Sequence, residues 1–274
     1  MARSHLWIPD SQVKPNRNGV EFPLDFLDWI GALIAERRPD VIVHLGDFAD
    51  MESLSSFDVG KKDFEGRRYV ADIAAANEAF ARLCKPLDDY NATRRAWRER
   101  LYLPERHLLL GNHEARITRA VENDAKLDGV LSTDDLRYAD HGWTVHPFLV
   151  PITIDGVSFA HYWANPMNGR PYGGTALTML KTLGRSFVQG HKQTLDYAMR
   201  FVGPDAPAQH GLIAGSAYLH REAYLGPQGN DHFRGVIWAD QVEGGSYDPQ
   251  FISLGQLCRK FQGTTLERFM ARRY

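Results

Sequence analysis

Three short apolar runs, each followed at once by an acid or an amide, constrain the fold of this chain more than any other feature. They are His5-Leu6-Trp7-Ile8 before Asp10, Asp40-Val41-Ile42-Val43-His44-Leu45 before Gly46-Asp47, and Arg106-His107-Leu108-Leu109-Leu110 before Gly111-Asn112. Runs of this length, dominated by Val, Ile and Leu with no polar face, are the pattern of strands buried on both sides. Between the first two lies a helical pattern at about 22–37 (Phe22, Phe26, Leu27, Trp29, Ile30, Leu33, Ile34), ended by Pro39. Strand, helix and strand within about 40 residues predict a right-handed βαβ unit with parallel pairing. Polar groups at the ends of successive parallel strands then meet at one edge of the sheet, where open α/β sheets place their sites.

Two later blocks carry the same chemistry. His161 follows the run Val157-Ser158-Phe159-Ala160, and His191 and Gln193 follow Phe187-Val188-Gln189-Gly190. Taken singly, each residue has a plainer role. Asp47 can cap a helix, Asn112 can shape a turn after Gly111, and a lone histidine is more often structural than ligating. Together, two carboxylates, an amide oxygen and two imidazoles suit a pair of divalent cations about 3.5–4 Å apart, a layout that hydrolyses phosphate esters.

The ordered set Asp10, Gly46-Asp47-Phe48-Ala49-Asp50, Gly111-Asn112-His113-Glu114, His161 and Gly190-His191-Lys192-Gln193 resembles the calcineurin-like metallophosphoesterase superfamily over about two thirds of the chain. The wording around Trp7-Ile8-Pro9-Asp10-Ser11-Gln12 is similar to members encoded by phages and prophages. The resemblance implies a four-layer αββα sandwich of two mixed sheets. It also implies one cation held by Asp10, Gln12, Asp47 and Gln193, and a second held by Asp47, Asn112, His161 and His191. A water between them would be the nucleophile, with His113 as proton donor and Asp50 orienting it. Positions 12 and 193 depart from the family pattern, which has histidine at both, and both departures fall on the same cation. Amide oxygen in place of imidazole shifts the expected metal towards Mn²⁺ or Mg²⁺ and away from Zn²⁺, with Fe²⁺ also compatible. The same change supports a second reading, a catalytically weak or inactive module that only binds. Met51 stands where the protein serine/threonine phosphatase branch has arginine, which argues against a phosphoprotein substrate.

Candidates for gripping substrate phosphate are Arg116, one helical step beyond the third block, and Arg170, near the Gly173-Gly174-Thr175 segment. Lys61, Lys62, Arg67 and Arg68 are weaker ones. A long excursion at about 51–104 holds helical stretches near 70–84 and 87–101. Pro86 between them predicts an αα-hairpin. Its second half carries Arg94, Arg95, Arg98 and Arg100, either as a solvated face or as a cap meeting a polyanionic substrate such as a nucleotide or nucleic acid. Short alternating runs at 144–149, 150–154 and 157–161 predict antiparallel strands, and further strands follow to about residue 254. The polar stretch 226–234 is expected to connect two strands, with lining a substrate groove as the alternative.

With 274 residues, 43% of them apolar, the chain can bury the core of a single domain spanning 1–274. A net charge of −2 argues against a general polyanion binder, though not against local basic patches. Two distant cysteines, Cys84 and Cys258, cannot build a disulfide framework and fit a reducing compartment. With no apolar stretch long enough for a membrane span and no apolar leader, the expectation is a soluble, cytoplasmic protein.

Overall fold

The computed structural model describes residues 1–17, 19–56, 64–222 and 226–274. In it the three apolar runs become adjacent parallel strands, β1 (Arg3–Ile8), β2 (Val41–His44) and β3 (Glu105–Leu109). β4 (Thr144–His146) continues the sheet in parallel beyond β3. On the other side β10 (Gly235–Glu243) and β11 (Ser246–Ser253) pair antiparallel, giving the order β11-β10-β1-β2-β3-β4. The second sheet holds β5 (Ile152–Ile154), β6 (Val157–Ala160), β7 (Phe187–Gln189), β8 (Leu195–Arg200) and β9 (Gln209–Ala214), ordered β5-β6-β7-β9-β8. β6, β7 and β9 run parallel, and β5 and β8 are antiparallel edges.

Strand alternation divides the apolar residues between two cores. Trp7, Val41, Val43 and Leu109 face the second sheet and pack with Phe159, Val188 and Leu212. Trp7 sits within this joint, with its ring edge-on to Phe159 (5.6 Å between centroids) and to Tyr247 (4.7 Å). Leu6, Ile8, Ile42 and Leu108 face outward, under α1 (Asp25–Arg37), α2 (Tyr69–Ala96) and α6 (Leu254–Gln262). A short helix, α3 (Ala115–Asn123), leaves the loop after β3, and a single turn, α5 (Gly226–Gly229), precedes β10. The outer face of the second sheet is covered by α4 (Ala176–Leu183), whose Ala176, Met179 and Leu180 meet Phe187 and Ile213. The result is an α/β fold layered helix, sheet, sheet, helix, with both sheets mixed. Among the described residues no helix is long and apolar enough to cross a membrane.

Several expectations are corrected. The αα-hairpin is one continuous 28-residue helix, α2, with Pro86 inside it. A proline removes one helical N–H and costs about 3 kcal/mol in a helix interior. Here the buried stripe Ala76, Ala79, Phe80, Leu83, Cys84 and Leu87 runs through the proline without a break in phase. The Pro86 ring lies against Gly31 of α1, where an added Cβ would stand 2.8 Å from Pro86 Cγ and 2.5 Å from the Leu83 carbonyl oxygen. The missing side chain lets the two helices approach, so tertiary packing overrides the local penalty. β4, expected to be antiparallel, joins the first sheet in parallel. Two C-terminal helices, α6 and α7 (Leu266–Arg273), add to the elements expected from the sequence.

Candidate metal centre

All the parallel strands of both sheets end on the same side, and their ends deliver the polar residues. Asp10 follows β1, Asp47 follows β2 and Asn112 follows β3, while His161 leaves β6 directly and His191 and Gln193 follow β7. Close approach requires glycine at two points. A Cβ on Gly111 would lie 2.1 Å from Asp47 Oδ1, and one on Gly190 would lie 2.3 Å from Asp10 Oδ1. Gln12, Asp47, His191 and Gln193 all have left-handed backbone (φ 46°, 50°, 67° and 58°). Such conformations in non-glycine residues cluster at functional sites, where the surrounding structure must hold them.

Asp47, His161 and His191 each offer a donor atom, all within 4.8 Å of one another. Asn112 Oδ1 lies between the two imidazoles, 2.9 Å from His161 Nε2 and 2.7 Å from His191 Nδ1. His161 Nδ1 donates to the Leu45 carbonyl (2.9 Å), which turns Nε2 towards Asp47 Oδ2 at 3.3 Å. Anchoring the far ring nitrogen on a backbone carbonyl is the usual way to aim a ligating imidazole. Burial disfavours the charged His161 ring, but the Asp47 carboxylate outweighs it and raises the pKa to about 9. His191 is pushed down to about 4, by burial first and His161 second. Burial opposes ionisation of Asp47, yet the His113 and His161 charges hold its carboxyl below the ordinary range. A carboxylate, an amide oxygen and two imidazoles in this arrangement are a complete donor set for one divalent cation, which would displace the protons between them.

The other half is oxygen-rich. Asp10 is fully buried, accepts from the His191 N–H with both oxygens (3.0 and 3.1 Å), and is pushed up to about 7 by burial, with Asp47 adding to the rise. Gln12 Nε2 donates to Asp47 Oδ2 at 3.3 Å. Gln193 Oε1 accepts from the Tyr218 hydroxyl at 2.8 Å. Asp10 and Asp47 could supply the charge for a second cation, and a half-turn of the Gln12 amide would present its oxygen. Both glutamines meanwhile have protein partners.

His113 stands beside the cluster. Its Nδ1 donates to Asp50 Oδ1 (2.6 Å), and its Nε2 lies 3.7 Å from Asp47 Oδ2. Burial lowers its pKa, but Asp47 and then Asp50 carry it above the usual imidazole value. Asp50 is held far below the carboxyl range against burial, by Lys14 and His113. Lys14 itself is buried among Asp50 (2.9 Å), Glu222 (2.6 Å) and Glu52 (3.6 Å).

Sequence reasoning misses three supports of the site. Glu114 is fully buried and accepts the backbone N–H groups of Asp47 (3.1 Å), Ala49 (3.0 Å) and Gly111 (2.9 Å), tying the second loop to the third. Its place in the third block is visible, but its backbone partners are not local. Lys14 has no sequence signal, since its three carboxylates lie on two distant segments. Tyr218 holds Gln193 and is backed by His232, whose Nε2 lies 3.0 Å from Ser216 Oγ and 3.5 Å from the Tyr218 hydroxyl. The 226–234 stretch, expected to connect strands or to line a substrate groove, thus reaches Tyr218 at the edge of the site.

The substrate-binding candidates fare unevenly. Arg116 is in the site, but its Nη1 is held by the Asp50 carbonyl (2.8 Å) and Asp50 Oδ1 (3.3 Å), while Nη2 faces His113 Nε2 at 3.3 Å. Arg170 is exposed in the loop between β6 and α4, and among the described residues none of its contacts reaches the cluster. Arg67 binds the Glu52 carbonyl (3.1 Å), Arg68 bonds the Arg67 carbonyl, and Lys61 and Lys62 lie outside the described residues. Arg94, Arg95, Arg98 and Arg100 lie beside the amino ends of β2 and β3, at the opposite edge of the sheet, so they do not cap this centre.

No family model matches the chain, and no curated protein matches it. A solved crystal structure aligns with 92% of this chain and all of its own, at 15% identity and a TM-score of 0.36.

Proposed function

We propose that this protein is a metal-dependent phosphoric ester hydrolase similar to the calcineurin-like metallophosphoesterases, acting on phosphomono- or phosphodiesters, with nucleotides or nucleic acid as the substrate class. The observation that supports this best is the meeting of Asp47, Asn112, His161 and His191 at the shared carboxyl edge of two sheets. These four fit one divalent cation. Asp10, Gln12, Asp47 and Gln193 would hold a second. Bound cations would supply Lewis acidity towards the ester and a water of lowered pKa.

The chain's own residues have separate roles. His113, whose pKa Asp47 and Asp50 raise against burial, is placed to give a proton to the leaving oxygen from Nε2. Asp50 holds the ring by Nδ1, and Lys14 and Arg116 hold Asp50. His113→Asn is expected to lower turnover about a hundredfold with bound metal retained, as loss of a general acid should. Loss of metal in proportion to activity would make His113 a ligand instead.

Oxygen donors from Gln12 and Gln193 favour a hard cation. Protein stripped with chelator should regain bis(p-nitrophenyl) phosphate hydrolysis best with Mn²⁺, with elemental analysis of the bound metal as an independent readout. Strongest recovery with Zn²⁺ would refute the oxygen-rich assignment. Metal uptake without hydrolysis of either mono- or diesters would favour the binding-module reading, in which both glutamine amides stay with Asp47 and Tyr218.

A further inference from the structure

The carboxyl end of α2 bears a second concentration of unusual side chains. Residues 94–100 carry four arginines and one glutamate, a local charge of +3. Arg94 is paired with Glu99 (3.0 Å), while among the described residues Arg95, Arg98 and Arg100 make no ion pair. Trp97 stands among them with 76% of its surface exposed, and Leu103 nearby is 72% exposed. A large indole left in water by a chain that buries Trp7 and Trp29 completely is not there for the core. Leu103 and the arginines on either side of Trp97 in sequence, Arg94 and Arg100, line a cavity of about 310 Å³ together with Arg38, Asp40, Tyr90 and Tyr102, three guanidiniums against one carboxylate. The Tyr90 hydroxyl accepts from both Arg38 (3.1 Å) and Arg94 (3.2 Å), which fixes two guanidiniums at its wall. That volume is at the lower end of small-molecule sites and accommodates a nucleotide-sized group.

We propose that this end of α2 docks single-stranded nucleic acid, with Arg38, Arg95, Arg98 and Arg100 taking backbone phosphates and Trp97 stacking a base. Charge alone would also admit an acidic peptide. The bare aromatic face ringed by guanidiniums favours the nucleic acid, because stacking platforms in a basic surface are how unpaired strands are held without reading sequence. The surface and the metal centre flank opposite ends of β2 and β3, roughly 15 Å of strand apart at about 3.3 Å per residue. A strand held at one end can therefore present a distant segment to the other face.

The test uses the full-length chain in the Asp47→Ala background, so that the probe survives and failure of the hydrolase reading does not enter. Anisotropy of a labelled oligothymidylate is titrated across a salt series. Trp97→Ala should weaken binding by about 5- to 150-fold, and Trp97→Phe should restore most of it. Arg98→Ala with Arg100→Ala should reduce the slope of log affinity against log salt by about 1.4, at about 0.7 for each phosphate no longer neutralised. All of these side chains are exposed, and an unchanged thermal midpoint will verify that the variants fold. No binding by the parent protein, variants with unaltered affinity and slope, or equal displacement of the probe by polyglutamate would each overturn the proposal.

Discussion

Glu114→Ala should lower stability by about 3–6 kcal/mol, the largest effect expected of any single change near the site. The carboxylate satisfies three buried backbone donors, on Asp47, Ala49 and Gly111, and its Oε1 also lies 3.5 Å from the Tyr138 hydroxyl. Removing it orphans the three N–H groups, each at about 1–3 kcal/mol. Water entering the vacated space offsets part of that sum. Burial, followed by the Asp47 charge, already raises the Glu114 pKa. Its value to the fold is therefore as an acceptor rather than as a charge. Glu114→Gln separates the two roles. Its remaining oxygen can serve Asp47 and Gly111, but its amide group would then face the Ala49 donor, so the loss should be about half as large. Thermal denaturation reads both variants, and the alanine change should lower the midpoint by roughly 10 °C for a chain of this size. A midpoint within a degree of the parent would mean that the two loops hold their shape unaided.

Asp47→Ala is expected to abolish metal retention and to cut phosphodiester turnover about a thousandfold. This residue is shared between the two donor sets, so its loss takes one ligand from each. Lewis-acid stabilisation is worth several kcal/mol, and about 4 kcal/mol corresponds to a thousandfold in rate. This change should also destabilise the metal-free protein, because the His113 and His161 charges more than offset the burial of Asp47, and its removal leaves them and the His113 N–H without their partner, so metal content and turnover are read on protein shown to be folded. Elemental analysis after gel filtration and a matched activity assay decide the matter. A variant that retains both metal and turnover would remove Asp47 from the centre and take the hydrolase reading with it.

The parts of the fold legible in sequence are those where one physical demand acts on consecutive residues. Leu6-Trp7-Ile8, Val41-Ile42-Val43 and Leu108-Leu109 are apolar at every position because each strand is covered on both faces, and that pattern is local. The residues just past those strands are legible for the same reason, as are His161 and His191 after β6 and β7. Long-range demands are not. Pro86 carries a strong local stop signal, and only the contact with Gly31, 55 residues earlier, explains why α2 continues. The parallel placement of β4 depends on which edge of the first sheet is free, which three residues cannot declare. Lys14 looks like any loop lysine until Asp50 and Glu222 close over it. The C-terminal helix α6 is readable in retrospect: Ser253 and Gln256 form a capping box ahead of Leu254, Leu257 and Cys258, with Gly263 left-handed at the far end.

The centre draws Asp10, Asp47 and Asn112 from one sheet and His161, His191 and Gln193 from the other. An ion captured there would work as a rivet through the seam of the sandwich. That seam is otherwise filled by apolar packing, with polar ties such as His5 Nε2 to Asp155 Oδ2 (2.7 Å) and His210 Nε2 to Ser246 Oγ (3.2 Å), and apolar packing tolerates small sliding where coordination geometry does not. Loading the centre would therefore stiffen the whole interface between the two halves, and emptying it would leave them freer to shear.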